Sequence, residues 1–272
     1  MGLSQQIAYS SLLALFPALA GVIGFLAVFG LFDNVINVLN GIAPHGVIKF
    51  VRTLQGDSHG GAKAAALAVG LIGAVWAASG AMGSVIKAVN RAYDRQETRP
   101  FWKVRGIAIL LVVATGVTSA VVIVLIVIGG LLGKVIGRQR GIGPAFDWLW
   151  GILRWPLAFA AVLLFFALVY YFAPNKDVRN WKWISPGSLI GSLLWLILSA
   201  LFQLYVTYLG HYSKTYGTIA TGVILLLWLN YSAFALLFGA ELNSELERQA
   251  GVAAAGGPGA GLVTPGRRMR TR

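Results

Sequence analysis

The 272-residue sequence contains no cysteine, which excludes disulfides, cysteine-based zinc sites and thiol catalysis together. Its three histidines, His45, His59 and His211, stand far apart and form no H-x-H or H-E-x-x-H pattern, so a metal-hydrolase reading has no ligands. Each reads as a solvated loop residue. Acids are scarce, nine in all, and charged residues of both signs make up only 11% of the chain. Soluble domains carry about 25%. Hydrophobic residues reach 57% and mean hydropathy is +0.75, so the chain reads as a membrane protein. No cofactor and no metal are expected, and no solenoid-type repeat is visible.

A bilayer core of about 30 Å needs about 20 apolar residues in a helix. Six stretches qualify: 7–32, 62–85, 107–132, 152–173, 186–209 and 218–242. The expected fold is therefore all-α and polytopic, with six transmembrane helices. Ala18, Leu19 and Ala20 resemble a signal-peptidase site, but no Lys or Arg precedes them and the apolar run continues, so the first helix reads as retained. Gln6 stands where a myristoylation signal needs Ser or Thr. With a cytoplasmic N-terminus, 14 of the 22 Lys and Arg fall on the inner side, as the positive-inside rule requires. Lys134, Arg138, Arg140 and Arg154 go against it. The net charge of +13 thus has a topological explanation, and nucleic acid is not expected as a partner.

The stretch VIKAVNRAYDR, 85–95, continues the second helix with Val85, Ala88, Val89 and Ala92 on one face and Lys87, Arg91, Asp94 and Arg95 on the other. That pattern predicts an amphipathic cytoplasmic extension lying among lipid headgroups. Residues 1–249 are read as the transmembrane domain. The Gly-, Ala- and Pro-rich stretch 250–272, ending in RRMRTR, is read as a disordered basic tail free to meet anionic lipid.

Polar residues recur at helical spacing inside the spans. Ser188, Ser192, Ser199 and Gln203 share a face of the fifth helix, Gly73, Ala77, Gly80 and Ser84 a face of the second, and Asn230 and Glu241 a face of the sixth. Small and hydroxyl residues let membrane helices approach and hydrogen-bond; the same residues could instead line a polar path, which Gln203 and Asn230 favour because they are costly against lipid. Both readings stay open. Glu241, about 35 Å along its helix, falls at the inner surface at the depth of Arg91. A carboxylate near a helix C-terminus opposes the macrodipole, so it is expected to pair with Lys87 or Arg91, as a clasp or as a gated headgroup site. Glu245 and Glu247 read as solvated. Pro17 falls inside the first span, and Pro156 and Pro186 read as the starts of the fourth and fifth helices.

Four blocks carry a resemblance: AYSSLLALFPAL, VNRAYDRQETRPFWKVR, YYFAPNKDVRNWKWISPGSLIGSLLW and YGTIATGVILLLWLNYSAFALLFGAELNSELER. Together they resemble the YihY/BrkB family of bacterial inner-membrane proteins, once labelled ribonuclease BN, over nearly all of 8–248. The resemblance implies six helices in the bacterial inner membrane and marks Asn90, Tyr93, Pro174, Asn175, Pro186, Gly187, Trp195, Tyr205, Tyr216, Gly217, Trp228, Gly239, Glu241 and Asn243 as family positions. It also leads one to expect a cytoplasmic stretch ahead of AYSSLL, of which this sequence holds little. Ribonuclease chemistry needs paired acid-base groups or a metal cluster; Asp94, Glu97 and Asp177 stand among basic residues as ordinary surface charge, so no enzyme is expected. Two functions follow. One is a transporter or flippase-like protein for a lipid or other anionic amphiphile, with Ser192, Ser199, Gln203 and Asn230 lining its path and Lys87, Arg91, Arg179, Lys182 and Glu241 at its inner rim. The other is a non-transporting envelope scaffold that binds anionic lipid or partner proteins. Membrane lipids are the expected partners, and a homo-oligomer is compatible with either.

Overall fold

The computed structural model describes residues 2–28, 61–128, 143–176, 184–209 and 213–254. They form six long α-helices: α1 (Gly2–Val28), α2 (Gly61–Ala92), α3 (Phe101–Ile123), α4 (Gly143–Phe172), α5 (Pro186–Leu209) and α6 (Ser213–Ala254). A short π-helical turn, Val124–Ile128, continues α3. Each helix packs on the next in sequence and α6 closes onto α1, so the six make a ring, with a further contact between α2 and α6.

Five segments among the described residues are long and apolar enough to cross a bilayer: Ile72–Ala92, Phe101–Ile126, Trp148–Phe172, Pro186–Thr207 and Gly222–Ala250. α1 carries no charged residue over its 27 residues. The surface agrees. Leu110, Val113, Val117, Val121 and Val124 run along α3 at spacings of three and four, all exposed, an apolar stripe that suits lipid and not water.

The described core gathers at one end of the bundle, where α2 and α4 finish and α3 and α5 begin. Ile86, Val89, Leu111, Val169 and Ala173 are fully enclosed there, with Ile7 of α1 and Leu236 and Ala240 of α6 beside them. The extension of α2 belongs to this core, which corrects the surface-helix expectation. Val85, Ala88 and Val89 do share a buried face and Lys87 and Arg91 an exposed one, but the apolar face meets protein, not headgroups. An amphipathic stripe is the same in sequence whichever apolar partner it finds. α2 then stops in a Schellman turn, Arg95 N–H to the Asn90 carbonyl at 2.8 Å and Asp94 N–H to the Arg91 carbonyl at 3.1 Å, with Asp94 left-handed at φ 49°.

Proline behaves differently from the expectation at one place. Pro186 opens α5, but Pro156 lies inside α4, which begins at Gly143. The exposed Trp148 and Trp155 prolong the helix past the point where Asp147 and Arg154 dilute its hydropathy, an aromatic girdle of the kind found at membrane interfaces. α1 likewise runs unbroken through Pro17. α6 is helical to Ala254, past the expected boundary at 249; residues 255–272, Arg179, Lys182, His45, His59 and His211 lie outside the described residues.

Candidate functional site

The polar residues collect at the rim of the core end, in two junctions that share α6. The first joins α4, α5 and α6. Pro186 has no N–H to satisfy, the Gly187 N–H donates to Asn243 Oδ1 at 2.8 Å, and the Ser188 N–H donates to Ser185 Oγ at 3.1 Å while the Ser185 N–H reaches Ser188 Oγ at 3.0 Å. The free donors of the first turn of α5 are thus met, one by a reciprocal serine box and one by a side chain from another helix. Asn243 also donates to Ser185 Oγ at 2.9 Å. Such contact needs backbones to touch. A Cβ at Gly187 would collide with the Gly239 carbonyl, and one at Gly239 with the Tyr170 hydroxyl. That hydroxyl donates to the Leu236 carbonyl at 2.7 Å, tying α4 to α6.

The loop between α2 and α3 completes this junction. Asn90 donates to Glu97 Oε2 at 2.8 Å and accepts the Asn175 N–H at 2.7 Å. Asn175 in turn donates to the Gln96 carbonyl and Thr98 Oγ1 at 2.9 and 2.8 Å. Arg99 pairs with Glu97 at 2.6 Å and donates to the Phe172 and Ala173 carbonyls at 3.2 and 2.8 Å. A cation on the last carbonyls of α4 both satisfies them and complements the helix dipole. The hydrogen bonds from Arg99, foremost, hold the Glu97 carboxyl below its ordinary value against the opposing effect of burial. Lys176 closes the edge, 2.7 Å from Glu247 and 4.1 Å above the Tyr93 ring. Burial, then the Glu247 charge, pushes the Tyr93 phenol far up, while a hydrogen bond with Asn243 pulls the other way; Tyr93 is therefore neutral.

Glu97 and Glu247, read from sequence as plain surface charge, are thus the acids of the clasp. Glu241 is not. Among the described residues the ion pairs are Arg99 with Glu97, Lys176 with Glu247 and Arg248 with Glu245, and none joins Glu241 to Lys87 or Arg91.

The second junction joins α1, α2 and α6, and Glu241 belongs to it. Here the helices leave a cavity of about 640 Å³ at the rim, lined by Ser4, Gln6, Arg91, Phe234, Phe238 and Glu241. The Ser10 and Ser84 hydroxyls, 3.0 Å apart, join α1 to α2 behind it. Deeper in the bundle, α1, α2 and α3, with Leu229 of α6, leave a second cavity of about 540 Å³, lined by Ala14, Ala74, Ala78, Val85, Val112 and Leu229. It is apolar almost throughout. Leu229 stands twelve residues before Glu241, about 18 Å along α6.

The expected path on α5 and α6 is not gathered around either cavity. Ser192 is fully enclosed and donates to the Leu189 carbonyl of its own turn at 3.0 Å. Ser199 is half-buried, and Gln203 is exposed, reaching Thr207 Oγ1 at 3.4 Å on its own helix. Asn230 is half-buried, with an enclosed Oδ1 that has no partner. Trp195 donates to Ser232 Oγ at 3.0 Å and meets Trp228 edge-on, so this part of the α5–α6 seam is packed. Among the other family positions, Pro174 is buried beside the clasp and Tyr205 is exposed; Tyr216 and Gly217 fall on α6 with side chains outside the described set.

Apolar spans, an apolar surface and polar groups confined to one rim define a multi-pass α-helical membrane protein. The chain matches the Virulence factor BrkB family over residues 1–261 and belongs to that family. It is 31% identical over 247 residues to a ribonuclease-like protein, YfkH, of Bacillus subtilis, covering 90% of each chain. It is 27% identical over 243 residues to a UPF0761 membrane protein of Alteromonas mediterranea, covering 87% of this chain and 74% of that one. A UPF0761 membrane protein of Stenotrophomonas maltophilia is 26% identical over 256 residues, 89% of this chain and 56% of its own. No solved structure matches the chain.

Proposed function

We propose that this protein binds a lipid or other anionic amphiphile at the α1–α2–α6 rim and passes it across the bacterial inner membrane, without catalysing a reaction on it. The observation that carries the reading is a pair of cavities that share α1 and α2, one at the rim against α6 and one deeper against α3. The outer one, about 640 Å³, presents Arg91 where a phosphate would sit at the headgroup level. The inner one, about 540 Å³, presents little but alkyl groups, the surface an acyl chain would cover. Arg95 of the α2–α3 loop and Lys103 in the first turn of α3 add to the attraction of that rim for anionic headgroups. In this reading both termini are cytoplasmic, as the distribution of Lys and Arg favours.

The test is reconstitution into liposomes with fluorescent lipids in both leaflets, followed by reduction of the outer-leaflet dye. Protein-dependent exchange of label, slowed by bulky substitution at Ala78 inside the apolar cavity, is the expected result. Lipid binding with no exchange would replace transport by the scaffold reading. A cysteine at Ser58 labelled only from the cytoplasmic side would overturn the orientation.

A further inference from the structure

Arg91 and Glu241 line one cavity from two different helices, yet no ion pair joins them and neither side chain makes a hydrogen bond within the protein. Two other acids of this rim are matched to bases, Glu97 to Arg99 and Glu247 to Lys176. The α1–α2–α6 cavity is where one charge of each sign is held facing shared space and left unmatched. A purely anionic ligand that reached Arg91 would meet the Glu241 carboxylate; a purely cationic one that reached Glu241 would meet the Arg91 guanidinium. A ligand that carries both charges a few bonds apart meets neither conflict and can satisfy both groups by charge-assisted hydrogen bonds.

We propose that the rim cavity recognises a zwitterionic lipid headgroup, its phosphate on Arg91 and its primary amine on Glu241. The proposal rests on the lipid-binding reading above and names the headgroup class. The guanidinium fork suits phosphate oxygens, and the carboxylate accepts from the three donors of an ammonium group. Gln6, on the α1 wall, offers an amide to the headgroup's ester oxygens. Phe234 and Phe238 line the same space and cover the glycerol end. A trimethylated amine keeps its charge but loses every N–H donor, so a carboxylate distinguishes it from a primary amine.

The experiment is native mass spectrometry of the full chain in detergent, titrated with phosphatidylethanolamine, phosphatidylglycerol and phosphatidylcholine of one acyl length, and with free phosphoethanolamine. The wild type should favour phosphatidylethanolamine over the other two by about tenfold, the size of one charge-assisted hydrogen bond. Free phosphoethanolamine should bind far more weakly, because it lacks the chains that fill the apolar cavity. Glu241→Gln should abolish the preference over phosphatidylglycerol while binding persists, and Arg91→Gln should weaken both lipids. A wild type that prefers phosphatidylglycerol, or a preference for phosphatidylethanolamine that Glu241→Gln leaves unchanged, would overturn the amine assignment and leave lipid binding intact. Phosphatidylcholine bound as tightly as phosphatidylethanolamine would overturn the primary amine, and free phosphoethanolamine bound as tightly as the lipid would overturn the membrane source. No lipid bound with sensitivity to either substitution would sink the reading on which the proposal rests.

Discussion

The two junctions at the rim share α6 and differ in what their polar groups do. Between α4, α5 and α6, Asn243, Asn175, Arg99 and Glu97 each make several hydrogen bonds, and glycines bring backbones into contact. Between α1, α2 and α6, Arg91 and Glu241 face a cavity and bond to nothing within the protein. Satisfied polar groups fix a packing arrangement; unsatisfied ones that face open space are available to a ligand. That difference is why binding is proposed at one junction and a structural role at the other, and substitutions can break the proposal at either end.

The largest effect is expected at the tightest contact. Gly239→Val places a side chain on the Tyr170 hydroxyl and the Gly187 carbonyl, and rigid backbone cannot yield as a side chain would. Overpacking of this sort costs about 3 kcal/mol or more, so the variant should give little monodisperse protein on size exclusion and a strongly lowered melting temperature. Normal melting of Gly239→Val would mean that α5 and α6 are not in backbone contact.

Next comes Arg99, whose side chain is only 5% exposed and holds Glu97 and two carbonyls. Arg99→Gln leaves the end of α4 without its cation and Glu97 without its partner; Glu97 itself is exposed, so the loss is set by the charged hydrogen bonds of Arg99 and should be about 2 kcal/mol. The same contact sets a pH dependence. Glu97 has a lowered value in the folded state relative to 4.5, so its contribution is fully present above about 4.5 and is lost as pH falls through the lower folded value. Wild-type melting temperature should hold towards that pH and drop below it; in Arg99→Gln the part of the drop that belongs to Glu97 should vanish. An identical acid profile in both would disprove the clasp.

The spans and the alternation of the helices were legible because membrane helices need long apolar runs, and α2, α3 and α5 overlap the stretches hydropathy picks, while α6 runs twelve residues past its expected end. α4 was read nine residues short because Asp147, Arg154 and Pro156 interrupt the signal that Trp148 and Trp155 continue. At the rim, depth along the helix correctly brought Arg91 and Glu241 to one place. What depth could not supply was rotation and partner. Glu247 lies six residues beyond Glu241, about 120° round the helix, enough to point one acid at Lys176 and the other at the cavity. Glu97 could not be placed from sequence because its partners come from Asn90 and Arg99 across a loop whose turn is set by Asp94 in a left-handed conformation. One signal was available: an Asn-Lys pair directly after Pro174, at the end of a span, must meet other chain ends, because helix C-termini expose carbonyls that need donors.

A smaller effect is expected for the outer edge of the clasp. Lys176 is largely buried but Glu247 is 58% exposed, so water screens the pair, and exposed pairs contribute about 1 kcal/mol or less. Lys176→Gln and Glu247→Gln should each lower the melting temperature slightly, and a double-mutant cycle should show them coupled. Additivity would place Lys176 with Tyr93 alone.

The smallest effect on stability is expected where function is proposed. Arg91 and Glu241 are exposed and bond to nothing within the protein, so replacing either by Gln removes no contact and leaves no partner stranded. Surface substitutions of that kind stay within about 0.5 kcal/mol. The sequence alone argues the reverse, since an acid near the end of a helix opposes the macrodipole and asks for a nearby base. A paired Glu241 would make Arg91→Gln and Glu241→Gln each destabilising and the double variant milder than their sum. The cavity geometry requires additive effects near zero in lipid-free detergent, together with loss of the stabilisation that added lipid gives the wild type, because a ligand that binds only the folded state raises its melting temperature. Coupling between Arg91 and Glu241 in the absence of lipid would return Glu241 to the clasp and erase the difference between the two junctions.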